Sequence, residues 1–154
     1  MLVQDCGETH PPQITEDDEA NSWIEDGWLV VATDGACIMQ SEEDMRLASC
    51  GCFYGHQHSH NSGWRLEDQQ QDAARAETRA VTRVMAWSWR KTLLLIDNSA
   101  TVQGFQRLEK GEDISTLENS DLWLRCKMAW DAKGGSEFFR ALKVKAPTFI
   151  GTRL

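Results

Sequence analysis

The chain has 154 residues, 41% of them hydrophobic, which is enough for one core of ordinary size and short for two independent domains. Its 24 acids against 16 bases leave a formal charge of −8, which excludes a bulk cationic surface for nucleic acid and confines any such site to a local patch. No run approaches membrane-spanning length, and the N-terminus has neither an apolar signal core nor the Arg-rich character of a transit peptide, so an intracellular protein with no membrane partner is expected.

Five cysteines, Cys6, Cys37, Cys50, Cys52 and Cys126, form no regular framework. Free thiols in a reducing compartment follow. Residues 1–26 hold Glu16, Asp17, Asp18, Glu19, Glu25 and Asp26 with Pro11 and Pro12 and few apolar residues, a composition that predicts a flexible acidic leader.

From Trp28 the pattern becomes apolar and β-branched, Trp28-Leu29-Val30-Val31-Ala32-Thr33, and then meets Asp34-Gly35. This predicts a first strand that ends in a carboxylate at a turn or bulge. After a polar link with Ser41, Glu42, Glu43 and Asp44, residues 47–54 predict a second strand and residues 59–66 a third. The three together form an antiparallel meander.

Over residues 72–90 the period changes. Ala73, Ala80, Val81 and Val84 fall on one face at roughly 100° per residue, with Arg75, Arg79 and Arg83 on the other, so a helix is expected with a solvated arginine stripe. Residues 92–97, Thr-Leu-Leu-Leu-Ile-Asp, read as a strand buried on both faces that again ends in a carboxylate. Helices are expected over residues 100–108 and 121–130, a loop over 111–119, and a stop at Lys133-Gly134-Gly135. Residues 138–146 predict a last, half-buried strand with Leu142, Val144 and Ala146 alternating against Lys143 and Lys145. The order is that of an α/β mixed sheet flanked by helices.

Glu77 lies within about 40° of Ala73, Val81 and Val84 on the helical wheel, on the apolar face. A carboxylate there is costly unless something pairs with it. Asp34 and Asp97 stand at the ends of two apolar strands, so if those strands are neighbours and the helix crosses them, three acids meet. Singly, each has a plainer role: Asp after a strand is often a turn former, and Glu early in a helix stabilises its N-terminal end. Jointly, their repulsion is best relieved by a divalent cation, and carboxylate-only ligation favours Mg²⁺ or Mn²⁺ over zinc. Hard cations held about 4 Å apart serve phosphoryl chemistry.

Thr33-Asp34-Gly35-Ala36, Arg75-Ala76-Glu77 and Ile96-Asp97-Asn98-Ser99, in this order and spacing, resemble the ribonuclease H (RNase H) family. Weaker echoes are Val102-Gln103-Gly104-Phe105, Asn119-Ser120-Asp121-Leu122-Trp123 and Leu142-Lys143-Val144-Lys145-Ala146, so the resemblance covers roughly residues 28–146. The Arg-Ala-Glu form looks like the cellular and retroelement-associated branch.

The resemblance implies an RNase H-like domain over residues 27–146: three antiparallel strands, then two parallel-type strands, flanked by helices. It also implies two magnesium ions and endonucleolytic hydrolysis of the RNA strand of an RNA–DNA hybrid, the implied partner. Asp34 would bridge both metals, and Glu77 and Asp97 would hold one of them, with Glu77 also near the 2′-hydroxyl that marks RNA. Gly35, Gln71, Asn98 and Ser99 would line the substrate cleft, with Arg and Lys side chains on phosphates.

The pattern departs from the family after the last strand. Pro147 stands where a histidine is expected, and residues 148–154 hold no Asp, Glu or His. The expectation is a C-terminally truncated domain with an irregular tail over 147–154, no C-terminal helix and no fourth acid for the second metal. Activity would then be impaired, and the uncovered sheet face would call for cover by the leader, a protein partner or self-association. The alternative is a catalytically inactive RNase H-like module that binds nucleic acid or protein. A weaker alternative is an exonuclease or integrase-like role, against which the Arg75-Ala76-Glu77 context speaks.

Cys50, Cys52, His56, His58 and His60 suggest a zinc cluster, but the spacing matches no common module. Buried cysteines beside an exposed polar hairpin are expected instead. The seven tryptophans are scattered over helix and strand positions and read mostly as core or core-edge residues.

Overall fold

A computed structural model describes residues 10–38 and 45–145. The first part of the expected leader, residues 1–9, the acidic link over 41–44 and the tail beyond Lys145 lie outside the described residues.

The elements in order are α1 (Glu16–Asn21), β1 (Ile24–Glu25), β2 (Trp28–Ile38), β3 (Leu47–Phe53), β4 (Ser62–Arg65), α2 (Ala73–Trp87), β5 (Thr92–Ile96), α3 (Ser99–Glu109), α4 (Ser120–Lys133), a 3-10 turn (Gly135–Glu137) and β6 (Phe139–Lys143). The sheet order is β4-β3-β2-β5-β6, with β1 paired to the start of β2. β2, β3 and β4 form the antiparallel meander, and β2, β5 and β6 run parallel. The sequence expectation for the sheet holds.

β2 differs from the expectation in one way that matters for the site. It does not end at Asp34 but continues to Ile38, because β3 keeps pairing with it: Asp34 lies opposite Gly51 and Gly35 opposite Cys50. What stops near Asp34 is the parallel partner, whose register runs from Leu29 opposite Thr92 to Ala32 opposite Leu95. Continuing that register by two residues sets Asp34 level with Asp97.

The helices cover one face of the sheet. Leu29, Val31, Leu94, Ile96 and Phe139 point from the strands into a core shared with Ala80, Val81 and Val84 of α2, Phe105 of α3, and Trp123 and Cys126 of α4. Lys133 of α4 closes the end of α2 by donating from Nζ to the carbonyls of Met85, Ala86 and Ser88 at 3.0, 2.7 and 2.9 Å, which satisfies carbonyls left open at a helix C-terminus.

The opposite face carries a smaller cluster of Val30, Ala32 and Leu95, flanked by Trp23, Phe53, Leu93 and Val144. No helical residue belongs to it among the described residues. Leu142 was expected to face inward, but it is 54% exposed. β6 is an edge strand whose buried side is set by Phe139 on the helix layer, and alternation from Phe139 sends Leu142 outward.

The leader expectation is also corrected over residues 15–26. Thr15 and Asp18 form a capping box for α1, with the Asp18 N–H donating to Thr15 Oγ1 and the Thr15 N–H to Asp18 Oδ2, both at 3.0 Å. Asp18 is 2% exposed and also accepts from the N–H and hydroxyl of Ser59 at 2.9 and 2.6 Å. An acidic composition reads as solvated chain, but this acid is consumed in tying α1 to the β3–β4 connection.

That connection is not the exposed hairpin expected from its polarity. His58 and His60 are buried and pack with Tyr54, Trp87 and Trp89 at ring separations of 5.0 to 5.9 Å. Cys50 and Cys52 are buried in the main core, as expected. Among the described residues no histidine, cysteine and acid side chains are grouped to hold a metal there.

Candidate metal centre

Each of the three acids is delivered by a different element. Asp34 comes from the middle of β2, Asp97 from the residue that follows β5, and Glu77 from the second turn of α2. α2 starts where it does because Asp72 caps it, its side chain accepting from the Arg75 N–H at 2.7 Å.

Gly35 lets α2 lie against β2. A Cβ at this position would stand 2.2 Å from the Glu77 nitrogen and 2.7 Å from its Cα, so only glycine admits the helix backbone at the point where Glu77 leaves it. Gly35 therefore shapes the site through its backbone.

Glu77 is 1% exposed, as its place on the apolar face of the helix requires. Its Oε2 accepts from the Thr33 hydroxyl and from the Asp97 N–H, each at 3.2 Å. Its Oε1 is buried with no partner. Burial pushes the Glu77 carboxyl up to about 8, with Asp34 and Asp97 adding to the rise and the Asp97 N–H and Thr33 hydroxyl opposing it. Asp34 is also raised, first by burial and then by Asp97, against a hydrogen bond from Gly35.

The three acids are thus electrostatic neighbours: Glu77 feels both aspartates, and Asp34 feels Asp97. They are not closed into a ligand cage: among the described residues no three carboxylate, imidazole or thiol groups sit in ion-holding arrangement. The donor set nevertheless fits a hard divalent cation. It consists of oxygen atoms alone, and one of them is a buried carboxylate oxygen that lacks any partner.

The other sequence-predicted site residues separate into two groups. Asn98 and Ser99 stand beside Asp97 at the start of α3, where Asn98 Oδ1 caps the helix by accepting from the Thr101 N–H at 3.1 Å and Ser99 is exposed. Gln71 is not available to a substrate. Its Oε1 accepts from the Ala48 N–H at 2.8 Å and its Nε2 donates to the carbonyls of Leu66 and Asp68 at 2.7 Å, so its amide fastens β3 to the approach to α2.

The arginine stripe is likewise not free surface. Arg75 donates in a fork to both carboxylate oxygens of Asp121 at 2.9 and 2.8 Å, to Asn119 Oδ1 at 3.1 Å and to Asp68, which clamps the first turn of α2 to that of α4. The Arg83 guanidinium lies 3.5 Å over the Trp64 ring.

Sequence reasoning missed Thr33 as part of the site. The available signal was a hydroxyl-bearing residue closing an apolar run, one position before Asp34. One surface depression lies elsewhere, at the opposite end of the sheet, between Trp28, Lys91, Leu93, Glu109 and Arg140, and holds no part of the carboxylate group.

No protein-family model matches the sequence, and no curated protein matches it significantly. Solved structures do match. The foamy viral protease-reverse transcriptase in complex with an RNA/DNA hybrid aligns over 94% of this chain and 20% of its own length at 15% identity, with a TM-score of 0.63. The same viral enzyme in complex with dsDNA aligns over 83% of this chain and 86% of the matched chain at 17% identity, TM-score 0.57. LC9-RNase H1, a type 1 RNase H with the type 2 active-site motif, aligns over 79% of this chain and 65% of its own at 17% identity, TM-score 0.50. This chain thus spans about a fifth of the length of the first of these. At such identities the likeness is one of fold, and the fold is RNase H-like.

Proposed function

We propose that this RNase H-like domain is a metal-dependent endonuclease that hydrolyses the RNA strand of an RNA–DNA hybrid, with Asp34, Glu77 and Asp97 as the metal-binding and catalytic acids. The observation that carries the reading is the unpartnered, buried Oε1 of Glu77 beside two further acids. A buried, ionised carboxylate oxygen without a donor is costly unless a cation or a proton takes it.

Mg²⁺, or Mn²⁺ in its place, would be held by Asp34, Glu77 and Asp97 and would supply an activated water and neutralise charge developing on the phosphate. The chain's own residues do the positioning. Gly35 brings Glu77 onto β2, the Asp97 N–H fixes one Glu77 oxygen, and the β2–β5 register, continued two residues past its last pair, would set the two aspartates level. Ser99 and the amide nitrogen of Asn98, next to Asp97 in the chain, would contact a sugar or phosphate oxygen in this reading. The hybrid as substrate class is supported by the solved relative bound to an RNA/DNA hybrid.

A second reading keeps the fold as a nucleic-acid-binding module without turnover. It is favoured by one observation, that the acids are not already closed into an ion-holding group among the described residues. Incubation with an end-labelled hybrid, duplex RNA and duplex DNA separates the two. The nuclease reading expects Mg²⁺-dependent fragments from the RNA strand of the hybrid alone. Retention of intact hybrid at every Mg²⁺ and Mn²⁺ concentration supports the binding module instead.

A further inference from the structure

The geometry points to a residue that orients the metal-facing acid. We infer that Thr33 is a positioning residue whose hydroxyl holds Glu77 by Oε2, so that Oε1 is the oxygen presented to the cation.

Thr33 is 2% exposed and points toward the helix layer, as strand alternation with inward-facing Val31 requires. Its hydroxyl lies 3.2 Å from Glu77 Oε2 and 3.3 Å from the Leu95 carbonyl. One hydroxyl therefore touches all three elements that deliver the acids: it belongs to β2, reaches α2, and rests on β5 two residues before Asp97. A single proton serves both acceptors, shared or in alternation. An ionised Glu77 is the stronger acceptor of the two, since hydrogen bonds to charged oxygens are the shorter and stronger kind.

The result is an asymmetric carboxylate. Oε2 has two donors, the Thr33 hydroxyl and the Asp97 N–H, while Oε1 has none. A half-turn only exchanges two equivalent oxygens, but a partial rotation of the carboxylate would leave both donors without an acceptor in a buried place, which costs on both sides of the bond. Groups that orient a metal ligand from behind in this way commonly set 10- to 100-fold of metal affinity. Asp97 contributes through its backbone and cannot be changed by substitution, so Thr33 is the half of the clasp that mutation can test.

The inference rests on the metal reading above, and the experiment separates the two. Mn²⁺ binding is measured by isothermal titration calorimetry on the wild-type chain, Thr33→Val, Thr33→Ala and Thr33→Ser, with the melting temperature of each metal-free protein as the folding control. The expected result is a dissociation constant for Thr33→Val about 10-fold or more weaker than wild type, with Thr33→Ser within about 3-fold of it. Should Thr33→Val fail to fold, the Ala and Ser variants lack the same methyl and differ only in the hydroxyl, so a weaker Mn²⁺ affinity in Ala than in Ser carries the same meaning. Equal affinity in Val and wild type, or in Ala and Ser, overturns the positioning role while leaving the metal site standing. A wild-type chain that takes no Mn²⁺ removes both.

Discussion

Glu77 and Asp97 meet through a main-chain bond: the Asp97 N–H donates to Glu77 Oε2 at 3.2 Å, so the helix carboxylate sits on the exit of β5. Its second oxygen is left buried and without a partner. The consequences of that arrangement can be measured with and without metal.

In the metal-free protein, the Glu77 carboxyl is raised by burial from 4.5 to about 8. The folded chain then holds a proton that the unfolded chain releases, so stability falls as pH rises from about 4.5 towards 8 and levels off beyond. The full effect is on the order of 5 kcal/mol. Glu77→Gln removes it. Scanning calorimetry at pH 8 should give this variant a higher metal-free melting temperature than wild type, and Mg²⁺ should stabilise the wild type alone.

Asp97→Asn and Asp34→Asn keep the shape of the side chain and remove its charge. Each should lower hybrid cleavage by more than about 100-fold, the upper end of what loss of a merely supporting group costs. Circular dichroism should remain that of the wild type, since neither aspartate belongs to the packed core. Single-turnover kinetics on a labelled hybrid checks the rate.

Two glycines separate packing from the site. A Cβ at Gly35 would meet the Glu77 nitrogen at 2.2 Å, and one at Gly104 would meet the Trp123 ring at 2.3 Å. Both alanine variants should lose roughly 1–3 kcal/mol or more in urea unfolding, as overpacking does. Gly35→Ala should also lose divalent-ion binding, whereas Gly104→Ala, between α3 and α4, should keep it in the folded fraction.

The acid side of the stability profile belongs to the aromatic corner. Burial pushes His58 down and His60 down to about 4 from 6.5. Neutral imidazoles are thus retained on folding where the unfolded chain would charge them, and stability is lost as pH falls from about 6.5 towards 4. Asp18 and Glu19 oppose the effect on His58, and Asp18 opposes it on His60. In a Glu77→Gln background, replacing His60 with Phe should make the fall in melting temperature over that interval shallower, leaving the part that belongs to His58.

Much of the sheet was legible in the sequence because its strands are short apolar runs bounded by acids and turn residues. The three acids were legible for the same reason: Asp34 and Asp97 mark where apolar runs stop, and Glu77 interrupts an apolar helical face. What escaped depends on residues far away in the chain. Asp18 reads as leader until Ser59, 41 positions on, supplies its donors. Arg75 reads as solvated until Asp121 is folded against it. Gln71 reads as a cleft residue until Ala48 and Leu66 occupy its amide. The continuation of β2 past Asp34 followed from β3, which local pattern could not supply.

The most direct measurement of the central claim is anomalous scattering from a crystal of the wild-type chain soaked in Mn²⁺. A manganese peak is expected among Asp34, Glu77 and Asp97, in contact with Glu77 Oε1 and absent from Asp97→Asn crystals. Full Mn²⁺ occupancy at another site with none at these three acids would contradict it.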